Sequence, residues 1–258
     1  MLLLPLPDKA DLPWRRLLDR TLHRPFVITA WRILHGQLGC HAFMHHVQRN
    51  VTTIAAPCSN LCRHPACLAS GSLETLSHAF LDCPASAPAI DWLCSTWAAL
   101  TNQSPPPRTA AVLLADDLRS WTQHSPAAEP RLLLLWTRLR ITVIGSIWAA
   151  RCARDQGTLR QVSLARFAVM LAVRHITEAI QRDWLRTSTD IRTLDNGFFC
   201  TDWWRGMDPK LSFAAFSAQW AFGSVFCTVD EGDADADPPR PASLEVLLGR
   251  DKPVRFPD

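Results

Sequence analysis

The chain has 258 residues, 48% hydrophobic and 20% charged, enough apolar content for a sizeable core, which excludes a disordered chain and a disulfide-held miniprotein. A formal net charge of +3 is too small to argue for a nucleic-acid partner by itself, so the distribution of charge must carry that argument. Tyr is absent, which excludes every catalytic motif that requires it.

The first residues, MLLLPLPDKADLP, place only three consecutive leucines before a proline, which is not a signal peptide. The expectation is an intracellular protein of nucleus or cytoplasm, neither secreted nor transmembrane. In that reducing setting, clustered cysteines among the nine present are metal ligands more often than disulfides. Of the 27 basic residues only Lys9, Lys210 and Lys252 are lysines, a bias that GC-rich coding explains as readily as phosphate recognition.

Residues 14–47 carry Trp14, Leu17, Leu18, Phe26, Ile28, Trp31, Leu34 and Leu38 at helical spacing, broken at Pro25 and at Gly36 and Gly39, which predicts two or three helices. A Cys/His-rich knuckle spans 58–83, and a short helix is expected over 89–100. The run TNQSPPPRTA (101–110) admits neither helix nor sheet and is read as a linker between a first region, 1–100, and a helical region, 111–227. Helices are expected near 110–121, 130–154 and 158–185. The apolar run 132–150 approaches the length of a membrane span, but Arg138 and Arg140 stand at its centre, at about 2.5–3.5 kcal/mol each in a bilayer, so it reads as a buried helix. Strands are scarce. Residues 198–227, with Trp203 and Trp204, read as an irregular or helical aromatic cap, the tryptophans as packing rather than base-stacking residues, and 228–258 as a mobile acidic, proline-rich tail. The fold class is mostly α, with a small zinc knuckle, an aromatic-rich C-terminal cap and a disordered tail.

The informative stretch runs Cys58-SNL-Cys62-RHPA-Cys67-LASGSLETLS-His78-AFLD-Cys83-Pro84. Zinc takes four tetrahedral ligands, usually as two close pairs across a loop, and Cys62/Cys67 with His78/Cys83 supply such pairs. Cys58 and His64 are competing ligands. Ser72 is a candidate N-cap with Glu74 in the first turn, and Leu73, Leu76 and Phe80 would share a core face, leaving His78 turned toward the cysteine pair. Five residues along a regular helix put Cys83 about 140° from His78, but Pro84 pushes Cys83 out of the helix and back to the metal. Four protein ligands leave no position for water, so Zn2+ is expected to be structural.

Charge is unevenly spread. Ten arginines face three acids between Arg131 and Arg186, whereas eight acids face four bases from Asp230 onward. The basic helical region could attract phosphates, with Arg151, Arg154 and Arg160 as candidate contacts, or simply be a solvated face.

The segment AWRILHGQL (30–38), with Trp31, Leu34, His35, Gly36 and Leu38, followed by paired cysteines and ETLSHAFLDCP (74–84), resembles the zinc-binding domain C-terminal to the reverse transcriptase in non-LTR retrotransposon polyproteins. Cys62, Cys67, Glu74, Thr75, His78, Phe80 and Cys83 match its second half. The commonest family spacing in the first pair is two residues, against four here. LWTRLRITVIGSIWAARCARDQG (135–157) also looks like the region after that domain, where an Ile-Trp-x-x-Arg signature recurs. The resemblance implies a piece of such a polyprotein, detached from its polymerase, that helps to hold template RNA or target DNA and could touch a reverse transcriptase polypeptide, with no membrane and no small-molecule substrate. His35 reads as a histidine bonding the helix end at Gly36. No enzyme is expected: Asp116-Asp117 follows Leu114-Ala115 in a helical context, without the aromatic residue of a polymerase turn, and no endonuclease or ribonuclease H carboxylate cluster is apparent. The alternative reading is a helical interaction or structural module that binds no nucleic acid.

Overall fold

The computed structural model describes residues 17, 22–49, 59–118, 130–159, 163–187, 211–221, 226–230 and 243–247. Within them the protein is mostly helical: α1 (Arg24–Leu34), α2 (His41–Arg49), α3 (Pro65–Ala69), a π-helical turn (His78–Asp82), α4 (Ala87–Thr101), α5 (Ala110–Leu113), α6 (Pro130–Asp155), α7 (Leu164–Leu185) and α8 (Phe213–Trp220), with strands β1 (Cys227–Asp230) and β2 (Ser243–Val246). The chain divides into two compact units. The first holds the described residues up to Ala98 and from Asn102 to His175, the second Ala99–Thr101 and the described residues from Ile176 onward. Pro105 to Pro107 therefore interrupt regular structure without separating the units: a proline run forbids helix and sheet, but it does not stop the chain folding back on itself.

In the first unit, α1 carries Pro25 in its opening turn, where a missing N–H costs no helical hydrogen bond. It buries Phe26, Thr29, Ala30, Ile33 and Leu34, a stripe at i, i+3 and i+4. Phe26, Ala30 and Leu34 join Leu17, Leu22, Ala115 and Ile141 of α6 in one core cluster. The helices meet closely because α6 has glycine at the contact: a Cβ at Gly145 would lie 2.2 Å from the Phe26 ring. Ile28 and Trp31, which the sequence grouped with Phe26 and Leu34 at helical spacing, are 51% and 42% exposed. The small residues Thr29 and Ala30 complete the buried stripe, and selecting the large ones gave the wrong phase.

Within α6, Leu132–Asp155 is long and apolar enough to cross a membrane by length and composition, and 67% of its most apolar window is buried inside the protein. Its charges are answered within the fold. Arg140 Nε lies 3.2 Å from the Asp116 carboxylate, and Nη1 donates to the Leu113 carbonyl at 2.8 Å. Asp116 has φ +56°, beyond the end of α5, so the helix expected over 110–121 stops after Leu113 and Asp116 serves as a buried counter-ion. The indoles of Trp97 and Trp136 pack edge to face at 5.5 Å.

The second unit is organised around the buried Asp183 carboxylate, which accepts from Trp220 Nε1 at 2.9 Å, Gln219 Nε2 at 3.0 Å and Arg186 Nη1 at 3.2 Å. Helix α8 is capped by Ser212, whose Oγ accepts from the Ala215 N–H at 3.1 Å. Within the aromatic cap, Phe213–Trp220 is thus regular helix. β1 and β2 pair antiparallel with Cys227 opposite Val246 and Asp230 opposite Ser243. That corrects the reading of the tail as mobile at Thr228–Asp230 and Ser243–Val246, which lie in paired strands of four residues each, too short for alternation to reveal; the segment between them and the last residues of the chain lie outside the described residues. Trp203 and Trp204 lie outside the described residues.

Candidate metal centre

Two backbone devices assemble the knuckle. In the first, Leu61 and Leu73 form an antiparallel bridge: Cys62 N–H donates to the Ser72 carbonyl and Glu74 N–H to the Asn60 carbonyl, both at 2.9 Å. The loop between them carries α3, opened by Pro65, which lifts Cys67 back over Cys62. The expected helix start at Ser72 is displaced, because Ser72 and Leu73 are taken by this ladder. Thr75 is the cap instead, its Oγ1 accepting from His78 N–H at 3.1 Å, and Leu73 is exposed.

The second device is the π turn. Cys83 N–H donates to the His78 carbonyl at 2.8 Å, so residues five apart, which an α-helix would splay, become neighbours. Cys83 itself is extended, φ −72° and ψ 125°, as expected before Pro84. The next carbonyl in the π pattern, that of Ala79, would need the N–H that Pro84 lacks. Ser86 Oγ donates to it at 2.6 Å and Arg151 Nη1 at 3.3 Å.

These devices bring Cys62, Cys67, His78 and Cys83 together, all buried, with their ligand atoms within 4.8 Å of one another. Cys83 Sγ lies 3.8 Å from Cys62 Sγ and 3.9 Å from Cys67 Sγ, and none of the three is in a disulfide. His78 Nε2 is buried without a hydrogen-bond partner. Burial, with Cys83 and Cys62 beside it, pushes the Cys67 thiol up to about 12, so the thiolates need a cation among them. Burial and the Arg151 charge hold His78 below its ordinary value, in the neutral form that coordinates metals. The cluster can therefore hold a metal ion. His64 is not among the four converging donors, although its Nδ1 stands 3.8 Å from Cys67 Sγ; Cys58 lies outside the described residues.

Around the four donors runs a charged belt. Arg151, at 1% exposure, pairs with the Glu74 carboxylate and points Nη2 at Cys62 Sγ, 3.6 Å away. Burial alone would lower the Arg151 pKa, but Glu74 and the Cys83 and Cys62 sulfurs outweigh it and raise it. Arg154 reaches Asp155 at 2.8 Å and Glu74 at 3.7 Å. His41 Nε2 lies 3.1 Å from Asp155 Oδ2, and its Nδ1 is 3.0 Å from the Leu61 carbonyl oxygen; both ring nitrogens face acceptors, which a protonated ring satisfies. The Asp155 bond raises the His41 pKa. Against the upward push of burial, hydrogen bonds from His41 and Arg154 take Asp155 down to about 2. His41, Glu74 and Asp155 also converge as donors, but Arg151 and Arg154 already supply the cations there.

This belt corrects the reading of the basic helical region. Arg151 is interior and Arg154 is turned onto carboxylates, so neither is a phosphate contact on a solvated face; Arg160 lies outside the described residues. The sequence showed Glu74 and Arg151 separately, each in a motif, but no signal of their pairing. His41 left no sequence signal beyond its type. His35 does bond the helix end, with Nδ1 2.9 Å from the Trp31 carbonyl oxygen and Gly36 beyond it at φ +63°, a left-handed conformation that favours glycine. Compared with known proteins, the chain matches no family model, no curated protein and no solved structure.

Proposed function

We propose that the protein is a structural-zinc module of the kind that accompanies reverse transcriptase in non-LTR retroelements, acting as a nucleic-acid-binding element rather than an enzyme. The observation that carries the zinc assignment is the sulfur spacing. Thiolates about 2.3 Å from one zinc at tetrahedral angles stand about 3.8 Å apart, and the Cys83 sulfur is 3.8 and 3.9 Å from its neighbours. Three thiolates and one imidazole are a donor set that selects zinc over hard cations. With four protein ligands in a buried site, no position is open for a reacting water, which favours a structural role. Zinc supplies the charge that keeps three thiolates ionised; Arg151 orients Cys62 from the side, and Thr75 and Pro84 set the backbone that presents His78 and Cys83.

The retroelement reading rests on the motif, and several of its matching residues have structural roles that support it: Glu74 pairs with Arg151, Phe80 is in the core and Leu34 and Leu38 are buried. The test joins metal analysis of the purified chain to fluorescence anisotropy with RNA and DNA at low salt. One zinc per chain with salt-sensitive nucleic-acid binding is the expected result. Zinc without any such binding would leave a helical structural module, and a metal-free folded chain under reducing conditions would end the assignment.

A further inference from the structure

The outward side of α1 is unusual for a helix packed on a core. Arg24, Ile28, Trp31, Arg32 and His35 share one stripe by their spacing, and all are exposed. Ile28 and Trp31 thus sit where polar residues ordinarily stand. The His35 ring stacks on the Trp31 indole, centroids 4.2 Å apart at 26°, and its Nδ1 is held at the Trp31 carbonyl oxygen. A stacked aromatic pair is thereby exposed at the helix end.

The charge on its own stretch of chain has one sign. From residue 22 to 73 the chain carries Arg24, Arg32, Arg49 and Arg63 and not one Asp or Glu; the first acid, Glu74, is buried against Arg151. An exposed ring pair beside two arginines, on a stretch without a carboxylate from residue 22 to 73, complements a polyanion whose flat bases are free to stack. A single nucleic-acid strand has that chemistry, whereas a duplex keeps its base faces engaged.

We infer that the Arg24–His35 face of α1 is a docking surface for single-stranded nucleic acid, with a base stacking on the Trp31/His35 pair and phosphates meeting Arg24 and Arg32. This rests on the nucleic-acid reading above and gives it a place other than the basic helical region first suggested by sequence.

The experiment uses the zinc-loaded full chain and anisotropy with labelled 12-mers: oligo(U), oligo(dT), an abasic strand of equal charge and a DNA duplex. The unaltered chain should bind either base-bearing strand more tightly than the abasic strand and the duplex. Trp31→Ala should weaken the base-bearing strands about 5- to 150-fold while changing abasic binding less than about twofold, and Trp31→Phe should keep most of the affinity. Arg24→Gln with Arg32→Gln should weaken all strands and flatten the log–log salt slope by about 1.4, two phosphates at about 0.7 each. Unchanged zinc content and helical circular dichroism will show that the variants are folded. Wild-type binding that Trp31→Ala leaves intact, or lowers equally on the abasic strand, overturns this inference alone. Tighter binding of the duplex also overturns it. No binding of any oligonucleotide by the unaltered chain overturns it together with the nucleic-acid reading, and leaves the face to a protein partner.

Discussion

Arg151 and Glu74, 77 positions apart in the chain, meet as a buried ion pair against the sulfur cluster. Glu74 leaves the bridge that holds the first cysteine pair, and Arg151 rises from the last turns of α6. One contact therefore fixes the knuckle to α6, the longest helix among the described residues. The charges are shielded from water on both sides, so neither tolerates loss of the other.

Removing one member should be costly and removing both less so. Arg151→Leu is expected to destabilise the zinc-loaded protein by about 3–5 kcal/mol, because it strands a buried carboxylate. Adding Glu74→Leu should recover part of that loss, as read from urea unfolding in a double-mutant cycle. Additive losses would show that the pair is not coupled.

The donor set makes a ligand-by-ligand prediction. Cys62→Ser, Cys67→Ser, His78→Ala and Cys83→Ser should each sharply lower the zinc content, since the metal contributes on the order of 10 kcal/mol in small structural sites. His64→Ala and Cys40→Ser should keep one zinc per chain by elemental analysis. Loss of metal in His64→Ala with retention in His78→Ala would reassign the fourth ligand.

The His41–Asp155 contact predicts a pH window. The raised folded pKa of His41 gives a contribution complete below its unfolded value of about 6.5 and lost as pH rises through the folded one. Asp155, depressed to about 2, contributes above its unfolded value of about 3.9 and loses that contribution as pH falls through the folded one. The clasp is whole between about pH 4 and 6.5. His41→Gln should trail the unaltered chain by about 1 kcal/mol or less at pH 5.5, the scale of a partly solvated pair, and the gap should narrow at pH 9. Urea midpoints at the two pH values check it; a gap that widens with pH would count against the clasp.

Gly145 offers a packing test. Alanine normally improves a helix by about 1 kcal/mol over glycine, but a methyl here would lie 2.2 Å from the Phe26 ring. Gly145→Ala should therefore destabilise by about 1–3 kcal/mol, and Phe26→Leu in the same chain should relieve part of it, both read as thermal midpoints. A more stable Gly145→Ala protein would mean that α1 can shift away from α6 at no cost.

The long helices and the four converging donors were legible in the sequence because each depends on local spacing: apolar period for α6 and α7, paired donors and Pro84 for the knuckle. The phase of α1 was not, because Thr29 and Ala30 bury themselves by position and not by size. Nor was the fate of the arginines. A region with ten arginines looks like a surface until Asp116, Glu74 and Asp155 are found opposite three of them, and Asp116 and Glu74 come from segments that only the folded chain brings near. The β1–β2 pair escaped for a related reason: its partners flank twelve residues of tail, and pairing across such a gap has no period to detect.

The Arg151 contact to Ala79 and Cys62 bears on how portable the knuckle is. A fragment ending at the proline run would keep all four donors, the bridge and the π turn, and would resemble a self-sufficient zinc finger. It would also carry the Glu74 carboxylate with no guanidinium to meet it and one fewer donor on the Ala79 carbonyl. Excised at that apparent boundary, the motif is a lock without its bolt. Any transplantable unit must therefore reach across the proline run at least to Asp155.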